Sequence, residues 1–234
     1  MILLILLEGG FLKNNLIIAI DGPGASGKGT ISKLVSKKLN MFHLNSGSIY
    51  RALALMVNQK GVEHNDFPAI ISFAKSLSLK NLDSPELKRD DIAILASKIS
   101  ENPRVREALL DFQRSLGARP PFGKGIIIEG RDIGTVVFPN AQIKIFIDAD
   151  IEIRADRRYK DLKKINDNIE LEDVKNQLIE RDNRDYNRTT SPLRPAENAH
   201  LLNTSKLDIE QCCSVVCGII EEHSAKNNNK CYID

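Results

Sequence analysis

The chain lacks tryptophan, and aromatic residues make up only 5% of its 234 residues. Platforms that stack single-stranded nucleic acid are built from such rings. An excess of one charge is missing too: 33 Lys and Arg face 31 Asp and Glu, a net charge of +2. The basic clusters are interleaved with acids, so no nucleic-acid partner is expected. No run approaches the roughly 18 apolar residues that span a bilayer, so no membrane partner is expected either. Cysteine is scarce and late, at Cys212, Cys213, Cys217 and Cys231, without a CxxC pair. Structural zinc sites show paired ligand spacing, so these read as reduced thiols of a cytoplasmic protein rather than metal ligands.

What is present, 42% hydrophobic and 27% charged residues, suffices for one large domain carrying an insertion. Residues 2–7 are apolar, but no basic residue precedes them and Glu8 follows. The run is shorter than a signal-peptide core, and residues 1–15 read as a loose extension or as the product of an upstream start codon. Residues 16–20 and 125–129 are short apolar runs that read as buried strands; residues 41–44 and 200–202 are further short strand candidates, and residues 141–147 another whose alternation at 142–145 points to a more exposed start. Between them, residues 27–39 carry Ile31, Leu34, Val35 and Leu39 at helical spacing, and residues 48–60 carry Ile49, Ala52, Leu53 and Met56. Strands alternating with helices predict a doubly wound α/β fold. Residues 61–102 are polar and mixed, with 81–91 loop-like, and residues 151–173 are highly charged; both read as mobile appendages outside the core. Residues 225–234 form a tail expected to fray.

The strongest motif is Gly22-Pro23-Gly24-Ala25-Ser26-Gly27-Lys28-Gly29-Thr30, between an apolar strand and an amphipathic helix. Glycines at 22 and 27 followed by Lys28 match a phosphate loop. There, successive backbone N–H groups turn toward an anion, the helix terminus adds partial positive charge, and the lysine reaches the β- and γ-phosphates. Gly29 stands where the general motif has a Ser/Thr magnesium ligand, and Thr30 follows it.

Two further segments carry charge in informative places. Glu129-Gly130-Arg131-Asp132 follows an apolar run, at the carboxyl end of a strand where ligands bind in open α/β sheets. A structural ion pair would read the same way. Arg181, Arg184, Asp185 and Arg188 share one helix face. Such a face is either a solvated stripe of ion pairs or a clamp for phosphate oxygens.

Together these segments resemble the bacterial cytidylate (CMP) kinase family, from about residue 16 to residue 221. The phosphate loop, Asn45-Ser46-Gly47-Ser48-Ile49-Tyr50-Arg51, the stretch from Glu129 through Pro139, and Arg181 through Leu193 follow in family order. The resemblance implies a P-loop three-layer fold with a five-stranded parallel sheet, an insert at about 61–102 that binds the nucleoside monophosphate, and a lid at about 151–173. It also implies roles. Residues 22–30 would bind ATP, with Mg²⁺ held by phosphates and water near Glu129. Ser46, Arg106 and Asp132 would line the cytosine pocket; Arg106, Arg131 and Arg188 would hold the CMP phosphate; Ser97, Arg181 and Asp185 would contact the ribose. Lys28, Arg131, Arg188 and the lid residues Arg157 and Arg158 would neutralise the transferring phosphoryl group. The implied substrates are ATP with CMP or dCMP, and the implied state a monomer. Glu129 and Asn45 stand where the family has Asp, and the insert is short enough to have lost the family's small extra sheet. The rival readings are another small P-loop kinase, a dead nucleotide-binding module, and a GTP switch. For the last, Ser205-Lys206-Leu207-Asp208 has the wrong first residue and Asp132-Ile133-Gly134 is one residue short.

Overall fold

The computed structural model describes residues 16–164 and 166–230, the last four as backbone only. The five apolar runs form strands; branched side chains cover both faces of the three central ones, while the edge strand at residues 200–203 buries only Leu202. The five are β1 (Leu16–Asp21), β2 (Phe42–Asn45), β3 (Gly125–Gly130), β4 (Ile143–Asp148) and β5 (His200–Asn203). All pair in parallel, in the order β2-β3-β1-β4-β5. The register sets Asp21 beside Gly130 and Asn45 beside Glu129, so the polar strand ends line one edge of the sheet.

Alternation along β3 feeds two cores. Ile126 and Ile128 point to one face, toward α2 (Ser46–Gln59), α3 (Phe67–Ser76), α4 (Asp90–Ile99) and α5 (Pro103–Ala118). Ile127 points to the other, toward α1 (Lys28–Leu39) and α8 (Ile209–Lys230). Local signals set the helix ends. Asn102 accepts hydrogen bonds from the Arg104 and Val105 N–H groups ahead of Pro103, and Asp66 accepts from Ala69 ahead of α3. Asn40, in the left-handed region at φ 50°, ends α1.

Three expectations need correction. Residues 61–102 are not a polar appendage: Ile70, Ala74, Leu87, Ile92, Ala96 and Ile99 are buried in the α2 core. Residues 81–91 are not a loop, since 3₁₀ turns at Leu79–Leu82 and Pro85–Lys88 lead into α4. The tail does not fray at 225; α8 continues to Lys230, while Cys231 lies outside the described residues, as do residues 1–15. Among the described residues, the insert contains no strand, in line with the trimmed sheet.

The charged 151–173 stretch becomes α6 (Ile151–Lys163) and the start of α7 (Leu171–Asn187), which pack together around Ala155, Val174 and Leu178. Ala25 of the glycine-rich loop joins this small cluster. Among the described residues, no helix is long and apolar enough to cross a membrane.

Candidate active site

The loop after β1 is shaped by close packing. Gly22 adopts φ +150°, and a Cβ there would lie 1.9 Å from the Ile147 carbonyl oxygen, so only glycine lets β1 leave the sheet here. Gly27, at φ +89°, precedes α1 without any side-chain cap, which leaves the first N–H groups of the helix directed into the loop. Lys28 folds back over this loop, its Nζ donating to the Pro23 carbonyl at 2.7 Å. Burial, and next the charge of Arg131, hold its pKa well below the usual lysine range. Glu129 and Asp185 only partly offset this, and an anion in the loop would add counter-charge beside Lys28. Ser26 Oγ is buried there without a hydrogen-bond partner among the described residues.

The end of β3 is organised by Asp21. Its two carboxylate oxygens accept from the Ile133 and Gly134 N–H groups at 2.8 and 2.7 Å, capping a single π-helical turn, Ile133–Val137. Such turns recur at functional sites because they redirect the residues before them, here Arg131 and Asp132. Burial raises the Asp21 pKa to about 6, although both N–H bonds oppose this. Glu129, 3% exposed, lies under the loop: a Cβ on Gly29 would come within 3.1 and 3.2 Å of its carboxylate oxygens.

Beside the loop the structure gathers guanidinium groups with too few acids to match them. Arg131 Nε donates to Asp185 Oδ2 at 2.9 Å, and Arg188 Nη1 lies 3.6 Å from Asp185 Oδ1. Burial opposes ionisation of Asp185, but Arg131, Arg181 and Arg188 together outweigh it and lower its pKa. Arg181 is pushed down to about 10 by burial and then by Arg131, with Arg51 and Arg158 adding to the repulsion. Arg51 is lowered likewise, by burial and then by Arg158 and Arg131. Arg188 Nη2 is buried with no partner among the described residues. Arg131 and Arg188 share the one carboxylate of Asp185, and a guanidinium cluster so under-matched is suited to a phosphate.

Next to this nest, Arg106 and Asp132 form a buried ion pair through Arg106 Nη2 and Asp132 Oδ2. The Arg106 guanidinium also stacks 5.4 Å from the centre of the Tyr50 ring. These residues, with Gln113, Thr190 and Ser191, border a cavity of about 160 Å³. Arg106 Nε is another buried donor without a partner among the described residues. The cavity thus offers an aromatic face, a carboxylate and a spare donor.

The resemblance-derived residues converge for the most part. The loop's Lys28, Arg106 with Asp132, and Arg131, Arg181, Asp185 and Arg188 lie in one cluster of interacting charges. Ser46 is buried, its Oγ 2.5 Å from where a Gly130 Cβ would stand. Ser97, half-buried on α4, connects only indirectly: its carbonyl accepts from Ser100 Oγ, and the Ser100 carbonyl accepts from Arg106. Arg157 is held against the loop, donating to Thr204 Oγ1 and to the Thr204 carbonyl. Arg158 reaches Asp90 of α4 at 3.3 Å, joining α6 to the insert. The shared helix face needs correction. Arg184 is exposed because α7 turns it away, while Asp182 is buried and paired with Arg154. Arg154 in turn donates to the Gly24 carbonyl, so α6 touches the loop through a residue that sequence reasoning passed over. Asp21, Tyr50 and Arg51 lie within the family-like segments but carried no site role in the sequence.

A phosphate loop beside a second, separate nest of guanidiniums is the arrangement of a P-loop kinase, with one anion in the loop and another in the nest. Residues 18–222 match the cytidylate kinase family model. The cytidylate kinase of Paramagnetospirillum magneticum is 44% identical over 204 residues, 87% of this chain and 97% of that protein. The cytidylate kinase of Vibrio vulnificus is 39% identical over 224 residues, covering 90% and 97%. Among solved structures, an uncharacterized protein from Eubacterium ventriosum aligns over 88% of this chain and 99% of its own, with a TM-score of 0.51 and 14% identity, a likeness of fold alone. The chain belongs to the cytidylate kinase family, and it is a phosphotransferase.

Proposed function

We propose that the protein transfers the γ-phosphoryl group of ATP to CMP, giving CDP and ADP, and that it accepts dCMP as well. The observation that supports this most is the pairing of two adjoining sites. One is a cavity edged by Arg106, Asp132 and Tyr50; the other is the guanidinium nest around Arg188. A carboxylate suits the exocyclic amine of cytosine, and guanidinium donors suit its acceptors. The acceptor phosphate, largely ionised at neutral pH, needs no general base, so the chemistry reduces to positioning and charge stabilisation.

In this reading the loop N–H groups and Lys28 hold the β- and γ-phosphates, while Arg131 and Arg188 orient the acceptor. Arg181 and Asp185 lie toward the ribose with Ser97, and Arg157 and Arg158 of α6 approach the donor. Oxygen ligands suit Mg²⁺, and the carboxylate of Glu129 beside Gly29 fits an ion carried chiefly by ATP phosphates and water. When bound, that ion neutralises charge on the β- and γ-oxygens. Residues 151–173 would close as a lid and keep water, the competing acceptor, away from the reacting phosphate. The protein is expected to work as a monomer in the cytoplasm.

The test is an ADP-release assay with ATP, Mg²⁺ and CMP, dCMP, UMP, AMP or no acceptor. Turnover with CMP and dCMP is expected. Turnover confined to UMP or AMP would overturn the base assignment, and ATP binding without any turnover would favour a dead module.

A further inference from the structure

Glu129 makes one contact that the catalytic reading leaves unused. His43 on β2 lies diagonally across from it on the same sheet face, since His43 pairs with Ile127 and Asn45 with Glu129. His43 Nε2 stands 3.2 Å from Glu129 Oε1. The pair joins an imidazole nitrogen, which carries a proton in one tautomer, to a carboxylate oxygen that can accept it. The Glu129 side chain is 4% exposed and that of His43 21%, so the contact is largely shielded from water.

The geometry on the loop side is equally constrained. The carboxylate approaches Gly29 so closely that a Cβ there would sit 3.1 Å from Oε1 and 3.2 Å from Oε2. Its charge also acts on Lys28. A glutamate has one more rotatable bond than an aspartate, and fixing a long polar side chain costs rotamer entropy. Something must therefore hold Glu129 under the loop, and among the described residues the hydrogen-bond partner of its carboxylate is His43.

We infer that His43 is a positioning residue: its imidazole anchors the Glu129 carboxylate beneath Gly29 and Lys28, and so sets the donor side of the active site. This rests on the kinase reading above. An aspartate at 129 would be too short to span both His43 and the loop, so the effect of His43 should depend on the glutamate.

The experiment is a double-mutant cycle of His43→Leu and Glu129→Asp, with His43→Gln as the donor-retaining control. The readouts are kcat, KM for ATP and for CMP, and the Kd for Mg²⁺ with the non-hydrolysable analogue AMP-PNP. In the Glu129 background, His43→Leu is expected to lower kcat/KM for ATP at least tenfold and to weaken AMP-PNP binding. The KM for CMP should move less than twofold, and His43→Gln should recover most of the loss. In the Glu129→Asp background, His43→Leu should change these values less than twofold. An equal effect in both backgrounds, an equal loss for Leu and Gln, or a parallel loss in CMP affinity would overturn the inference. A wild-type protein that binds AMP-PNP but fails to phosphorylate CMP would instead overturn the kinase reading. The AMP-PNP arm of the cycle would then still test His43.

Discussion

Removing Asp185 should both destabilise the protein and make that stability depend on anions. The carboxylate sits between Arg131 at 2.9 Å and Arg188 at 3.6 Å, with Arg181 one turn earlier on α7. At about 4 Å and an effective dielectric constant near 20, each such pair is worth about 4 kcal/mol before desolvation is subtracted. Breaking a buried pair by deleting one partner typically costs about 3–5 kcal/mol, because the charge left behind stays desolvated. A domain of this size loses about 2–4 °C of Tm per kcal/mol, so Asp185→Ala should lower Tm by roughly 6–20 °C. Asp185→Asn, which keeps the shape, should lose a large part of the same amount. The sign with pH follows from the lowered pKa of Asp185. Its contribution is present above the unfolded carboxylate range, near pH 4, and is lost as pH falls through the lower folded value. Millimolar inorganic phosphate, a substitute counter-charge, should raise the Tm of Asp185→Ala more than that of wild type. Thermal unfolding followed by circular dichroism, with and without phosphate, is the assay. A Tm drop under roughly 2 °C, less than one kcal/mol on that scale, or equal phosphate shifts for both proteins, would refute the reasoning.

Lys28→Ala and Arg188→Ala should each lower kcat by at least about 10²–10³ while the circular dichroism spectrum stays native, since each removes a cation aimed at a phosphate. Near-normal kcat in either would break the site assignment. Gly22→Ala forces a Cβ to 1.9 Å from the Ile147 carbonyl and should cost more than about 3 kcal/mol in urea unfolding. Asp21, raised from 3.8 to about 6, is protonated more readily in the folded state. Its stabilising share is therefore complete below pH 4 and lost as pH rises through 6. Relative to Asp21→Asn, wild type should gain about 1 kcal/mol between pH 7 and pH 5. A difference flat across that range, measured by urea unfolding, would remove the charge-burial account of Asp21.

The sequence by itself determined the features that depend on neighbours along the chain. Short apolar runs between helical segments specify strands, so all five were legible to within one or two residues, although β5 at the sheet edge buries only Leu202. A glycine-rich turn ending in Lys28, between a strand and an amphipathic helix, specifies a phosphate loop for the same reason: its chemistry is made by consecutive backbone groups. Arg181 and Asp185 were visible as a unit because helical spacing puts them on one face; Arg188 lies just past the end of α7, in extended backbone, and joins them through tertiary packing.

Only the tertiary structure decided which charges meet. Asp21 reads as an ordinary strand-end carboxylate until a turn 112 residues later folds over it. Arg51 and Arg158 acquire meaning only when α2, α6 and α7 converge on one nest. The same spacing that grouped Arg184 with the site residues gave no sign that α7 turns it toward solvent. Residues 61–102 looked polar because their buried positions are spread among exposed ones, and it is packing against α2 that makes Ile70, Ile92 and Ile99 core residues. Local propensity and hydrophobic period act over a few residues. Burial, desolvation and charge pairing act between whichever surfaces the fold brings together, and no local pattern encodes that choice.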